Sequence, residues 1–579
     1  GQSQPPPGLS LPHSIRESLM DRLLPLETRE RVILEWIAVY GRPLDFQTLK
    51  AISGQEDGPL LEIVDHLLQR NFLLEGADGI EFSQHKVAEF LYDELSAIRK
   101  VVSHQKIGQT LREIGEGSPA LLAYLFVRAG ETELATKYWL LAGEAALKGY
   151  ALRLAVSHFG HVLELADDPA SKLEATIGLG HALTLLDEVD EAASTLQSGT
   201  ALAEVANDEW RKARLAFRYA QLASRQHPAD AAEIEIRRAL SLAEQVQDNN
   251  LIARLLLLLS VAQASEGRLS DALDSTIQAR TLSQKKKDQQ LEAQTLNELG
   301  FIYTQLGEFQ NGIDVIQEAL AIQAASPDLG ISTYSWNILG RAYGGLGQYQ
   351  QALDAFEKCR QQAAEIEDRF FLAQIPNMLG WLYRELYAVE RAERCDQESV
   401  DLALRYGKGP IEISARLNLC LDWLALKRLD DAYTALQQIE KQIKAGQFGF
   451  HQWRWRLRLL YIGGRYYLQT GQIELALTKS ENLWHLAQEV NAKKYMCLAQ
   501  QLQGDALIEL RRFDEAAMAL KGAVQLAESI SYRPVLWEAG QPLASYQPKQ
   551  NQKRLAKNVR LVRETAGQLS DSSLQQDFL

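Results

Sequence analysis

Cysteine is scarce. Only Cys359, Cys395, Cys420 and Cys497 occur in 579 residues, far apart and within helix-like patterns. That excludes a disulfide frame and a zinc-spaced Cys/His set, and it predicts reduced thiols in a cytoplasmic protein. Long apolar runs are missing too: the longest, around Leu255–Leu259, is broken by Arg254 and Ser260. It falls short of the ~18 residues a membrane span needs, and no signal peptide precedes it. Positive charge is in deficit, with 61 Lys and Arg against 75 Asp and Glu and a net charge of −14. A general binder of DNA or other polyanions needs the opposite balance. There is no GxxxxGK[ST] phosphate loop, no HExxH, no GxSxG and no glycine-rich dinucleotide loop. We therefore expect no metal site, no cofactor and no enzyme activity in this chain, and expect it to bind rather than to catalyse.

What is present is a repeat. Small residues stand 40 apart at Gly180, Ala220, Ser260, Gly300, Gly340, Gly380 and Cys420, and the series extends to Gly143, Gly464 and Gly504. Twelve residues after each stands a second small residue, among them Ala272, Gly312, Ala352, Ala392 and Ala432. Two antiparallel helices that cross closely need small side chains where their backbones approach. Asp168, Asp208, Asp248, Asp288, Asp328 and Asp368 keep the same period, each opening an apolar-periodic segment as an N-cap should. Gly267, Gly307, Gly347 and Gly471 lie seven residues past the first small residue, where a left-handed helix stop is expected. Lys285–Lys287 ends a helix, where cations are favourable.

Trp336, Leu339, Gly340, Tyr343, Gly347, Ala352 and Phe356 resemble a tetratricopeptide repeat in its longer, 40-residue form. The predicted fold is all-α, a tetratricopeptide-like solenoid superhelix of about ten units over residues 136–533, closed by a capping unit at 534–579.

Residues 11–96 lack this period. They follow a polar, proline-rich linker at 1–10 and read as helices near Glu27–Tyr40, Asp45–Ile52 and Leu60–Arg70, the third capped by Asp57. A small hairpin over Asn71–Ser83 and a helix from His85 to Ser96 complete a winged helix. Residues 11–94 hold 8 Lys and Arg against 16 Asp and Glu, so no DNA binding is expected. An acidic winged helix before such repeats is similar to bacterial signal-transduction ATPases with numerous domains (the STAND class), of the maltose-regulon activator type. The stretches that carry the resemblance are Leu11–Ser18, Arg29–Pro43, Asn71–Leu74, Phe82–Tyr92 and Leu574–Leu579. The resemblance implies a helical arm at 97–135, a repeat sensor for an inducer, and a nucleotide-binding domain upstream. ADP or ATP is expected only with that missing domain. It also implies a β-phosphate contact eight residues before Tyr92, which falls on Gln84 with His85 beside it. The alternative reading is a free-standing tetratricopeptide scaffold that joins protein partners.

For the inducer, taken as a peptide, a protein or an anionic small molecule, the inward side of the first helices is the expected site. Asn297, Asn337 and Asn377 recur three before the small residue, with Phe301, Arg341 and Trp381 one turn on. Arg384 follows, and Tyr461 and Arg465 take the same two places later. Asn offers both donor and acceptor to an amide, Arg meets an anion, and Trp and Tyr supply contact area.

Overall fold

The computed structural model describes residues 13–226, 228–445, 451–546 and 548–579. The 1–10 linker and the start of the Leu11–Ser18 stretch lie outside the described residues. The chain forms two compact units, residues 1–218 and 219–579.

In the first unit, helix Thr28–Tyr40 opens with a capping box between Glu27 and Glu30 and stops at left-handed Gly41. Helix Phe46–Ser53 is capped by the Asp45 carboxylate. The next helix is Asp57–Gln69, so Asp57 is its first residue and not its cap; its carboxylate instead pairs with Lys50 at 2.7 Å. Strands β1 (Leu73–Gly76) and β2 (Gly79–Phe82) pair antiparallel, and Leu44 bridges to Ile80 on the free edge. At Gly79 (φ 126°) a Cβ would lie 2.7 Å from the Leu44 carbonyl, so only glycine lets that strand approach. Helix His85–Glu94 ends before Ser96, which caps the following helix, Ala97–Ile114, by accepting from the Arg99 N–H. The segment expected as a helical arm packs against the helices that precede it. Ile107, Leu111, Leu121, Leu125 and Phe126 share one buried core with Ile33, Leu34, Leu49, Leu67 and Phe90. The unit continues through helix pairs from Thr132–Lys148 onward.

The second unit is a run of helix pairs. Its first helices include Asn249–Ser265, Gln289–Leu306, Leu329–Gly345, Arg369–Glu385, Gly409–Ala425, Gln452–Gln469 and Lys493–Glu509. Each of the six periodic aspartates, in either unit, caps its helix: the carboxylates accept from backbone N–H groups at 2.7–3.2 Å. The small residues are steric necessities. A Cβ on Gly180, Gly300, Gly340 or Gly504 would come within 2.4–2.6 Å of Leu196, Ile316, Phe356 or Leu520, the residue sixteen further on in each case. Strand structure among the described residues is confined to the 73–82 hairpin and the Leu44 bridge.

The second unit also bends back on itself. The Trp453 indole donates to Ala264 O at 3.0 Å, Lys493 pairs with Glu308 at 3.3 Å, and Arg391 pairs with Asp571 at 2.8 Å. Phe578 packs among Tyr349, Tyr387 and Trp537. The turn glycines mark this seam. Gly267, Gly307 and Gly347 all have positive φ, as Asp187, Tyr387, Lys427 and Arg511 do at the same register. At the three glycines, however, an added Cβ would meet Val490, Ile530 or Arg533 at 2.7–3.3 Å, whereas at Gly471 it meets nothing.

Candidate functional site

The first helices of the second unit turn one face inward, and two adjoining cavities lie between them. The smaller, about 150 Å³, is lined by Arg341, Asn377, Trp381, Trp453, Arg454, Trp455, Arg458, Lys494 and Tyr495, among others. The larger, about 250 Å³, shares Trp381, Asn418, Arg458, Lys494 and Tyr495 and adds Arg384, Tyr461, Arg465, Glu385, Tyr532 and Glu538.

Six of the nine expected residues thus come together: Arg341, Asn377, Trp381, Arg384, Tyr461 and Arg465. The other three line neither cavity. The Asn297 amide donates to Ile331 O at 3.1 Å and its carbonyl accepts from Ser335 at 2.7 Å, so it ties one repeat to the next. Asn337 is 1% exposed. Phe301 is buried, its ring set between the guanidinium groups of Arg341 at 5.5 Å and Arg454 at 5.7 Å. Asn297 therefore serves the array before any ligand. Asn377 also spends its N–H on Asp396 at 2.8 Å, but its carbonyl oxygen has no partner among the described residues.

Two kinds of cation line these cavities. Arg384 is paired: it donates to Asp422 at 2.7 Å and lies 3.4 Å from Asp396, and both carboxylates are fully buried. Asp396 stands sixteen past Gly380, where most other repeats carry Leu, Ile or Phe. Burial, and then the Asp422 charge, push its carboxyl well above the usual range. Asn377 and Asn418 donate to its other oxygen at 2.8 and 3.0 Å. Arg465 likewise faces Asp505 at 3.7 Å.

The second kind has no carboxylate. Among the described residues, Arg341, Arg454, Arg458 and Lys494 form no ion pair, and the smaller cavity has no Asp or Glu in its lining. Arg458 donates to Ser414 O and Asn418 Oδ1, and Lys494 sits over the rings of Trp381 and Tyr532 at 4.9 and 4.7 Å. Burial first, and then mutual repulsion, pull Arg454 down to about 9, Arg458 to about 10 and Lys494 to about 8. All four remain cations at neutral pH.

Sequence reasoning missed Arg454, Arg458 and Lys494. A signal was there: Arg454, Arg458, Tyr461 and Arg465 follow a 4-3-4 spacing that puts them on one helix face. Gln84 and His85 belong to the first unit, at the start of helix His85–Glu94, where both are exposed. No group of three or more His, Cys, Asp or Glu among the described residues is placed to hold a metal ion. Among them, too, no helix is long and apolar enough to cross a membrane.

Residues 291–363 match the tetratricopeptide repeat family, and the solved structures that share the fold carry such repeats. The array is a tetratricopeptide-type solenoid. This solenoid is similar to a signal-transduction ATPase with numerous domains from Pyrococcus horikoshii that has a tetratricopeptide repeat sensor. The TM-score is 0.57 at 17% identity, over 75% of this chain and 65% of that one. The chain thus spans just under two thirds of that protein. It is also similar to a Rap protein complexed with competence and sporulation factor, with a TM-score of 0.51 at 12% identity, over 63% of this chain and 99% of that one. At these identities the likeness concerns the fold. No curated protein matches the chain by sequence.

Proposed function

We propose that the chain is the ligand-sensing and relay region of a STAND-type signalling ATPase, with its inducer held inside the repeat array of residues 219–579. The observation that carries this reading is the cavity where Arg341, Arg454, Arg458 and Lys494 converge among aromatic rings without a carboxylate. Desolvated charges left unpaired cost stability, so a fold that keeps four of them together has a use for them. The size of the two cavities favours a small molecule over a peptide or a protein. The fold likeness to a STAND protein with a repeat sensor supports the relay half. There, residues 11–96 would act as a winged helix and 97–135 as the arm. Gln84 and His85, exposed at a helix start, would face the nucleotide of an upstream domain.

The test is native mass spectrometry of the chain purified from its own cell extract, followed by titration of the co-purified molecule. Loss of a charged hydrogen bond costs about 1.5–3 kcal/mol, so Arg341→Ala should weaken binding roughly tenfold or more. Trp381→Ala should do so as well, both with helix content unchanged. Unaltered affinity in both variants removes the site. A gene with no phosphate-loop domain ahead of this region removes the relay half and leaves the scaffold reading.

A further inference from the structure

The paired and unpaired cations are segregated, and that segregation bears on the ligand. In the larger cavity Arg384 and Arg465 have their carboxylates, and Glu385 and Glu538 add further acid. In the smaller one, no acid enters the lining. Glu298 is the nearest test of that statement: it is buried and shares Tyr334 as a neighbour with Arg341 and Arg454, yet forms no ion pair with either. Burial also lifts its carboxyl to about 7, which weakens the charge it could offer at neutral pH. Asp396 and Glu385 influence Arg458 and Lys494 from beyond ion-pair distance.

We infer that the inducer is a small organic phosphate, with its phosphate group in the smaller cavity against Arg341, Arg454, Arg458 and Lys494 and its organic part in the larger. This rests on the sensing reading above and names its ligand class. Four converging cations need more than one negative charge, and a phosphomonoester brings about −1.5 to −2 on three acceptor oxygens. Guanidinium groups match such oxygens in pairs. The indole N–H groups of Trp381, Trp453 and Trp455 are already bonded to Glu385, Ala264 O and Ser414. These walls therefore supply ring contact and leave recognition of the anion to the cations. The larger cavity, with both signs of charge and the Tyr461 and Tyr532 rings, suits hydroxyls and a polar carbon skeleton. The chain as a whole is acidic, so this is a buried, local selectivity and not a polyanion surface.

The experiment is calorimetry and thermal melting on the intact chain with four probes: glucose 6-phosphate, inorganic pyrophosphate, citrate and a neutral trisaccharide. We expect one-to-one binding of at least one phosphate probe, stronger than citrate, and no binding of the trisaccharide. Arg454→Gln and Arg341→Gln should each weaken that binding tenfold or more. Their ligand-free melting points should equal or exceed that of the wild type, because each removes a repelling charge; a purely structural role would lower them. Arg341→Lys, which keeps the charge, tests that folding is intact and should retain part of the affinity. Citrate binding more tightly than either phosphate overturns phosphate in favour of a polycarboxylate. Trisaccharide binding that Trp381→Ala abolishes, with no anion bound, overturns the ligand class and leaves the sensing reading standing. Phosphate binding unmoved by both glutamine variants is surface binding only and overturns the proposal. If the co-purified molecule is also indifferent to Arg341→Ala and Trp381→Ala, the sensing site falls with it.

Discussion

Asp396 shows what one residue out of pattern does. Its position is apolar in most repeats, and here a buried carboxyl accepts from Asn377 and Asn418 and lies 3.4 Å from Arg384, whose shorter pair, at 2.7 Å, is with Asp422. Burial favours the neutral form of this acid, which an asparagine imitates, so Asp396→Asn should change stability little in urea denaturation at pH 7. Asp422→Asn leaves Arg384 buried with only the longer Asp396 contact, and should cost about 3–5 kcal/mol, the usual loss when one member of a buried pair is removed. Equal losses in both would contradict this division of roles. Lys494 gives a second residue-scale expectation. Facing Glu385 and repelled by Arg458, Arg341 and Arg384, it is pulled from 10.5 to about 8, mainly by burial. A base with a depressed folded pKa destabilises fully below that value, and the penalty fades as pH rises toward the unfolded value. The stability of wild type relative to Lys494→Met should therefore improve between pH 8 and 10; a flat difference would mean that Lys494 is not desolvated.

At the scale of the element, what is local in the chain was legible in it. Capping aspartates, left-handed glycine stops and small crossing residues each act within one helix pair, so their period survives in the sequence. The cost of removing a cap should follow its further partners. Asp368→Ala forfeits one cap, about 1 kcal/mol. Asp288→Ala should cost more, since that carboxylate also receives Arg254 and Asn250 of the previous repeat, both at 2.9 Å. Chemical denaturation of the two variants, side by side, measures the difference. Asn297 was harder to read, because a repeated asparagine looks the same whether it serves a ligand or the next helix. Only the Ile331 carbonyl beside it decides. Arg454 and Arg458 escaped notice for another reason: they precede the inward positions that earlier repeats suggested, and their convergence with Arg341 depends on how far the array turns.

At the scale of the molecule, the repeat architecture was in the sequence but the return of the array on itself was not. Small rotations add up from one repeat to the next, and no single side chain states their sum. Its trace is indirect, in glycine at turns where lysine, aspartate or arginine serves elsewhere. Gly471→Ala should cost only the left-handed strain of about 1–2 kcal/mol. Gly267→Ala adds a collision with Val490 at 2.7 Å, and should cost more and shift the fluorescence of the neighbouring Trp453. Equal losses and an unmoved spectrum would mean that the seam is not closed in solution.

The seam also governs what kinds of change this chain tolerates in its history. An open solenoid is modular: a unit gained or lost between two others leaves every remaining interface intact. Here Glu308 meets Lys493, Gln350 meets Ser570 and Arg391 meets Asp571, partners separated by several repeats. Excising one 40-residue unit, residues 389–428, preserves the local register on both sides of the cut and shifts most of those long-range pairings at once. Duplication would do the same in the other direction. Copy number, which an open array can change at little cost, is tied here to the closure of the seam, as the number of strands is tied to the closure of a barrel.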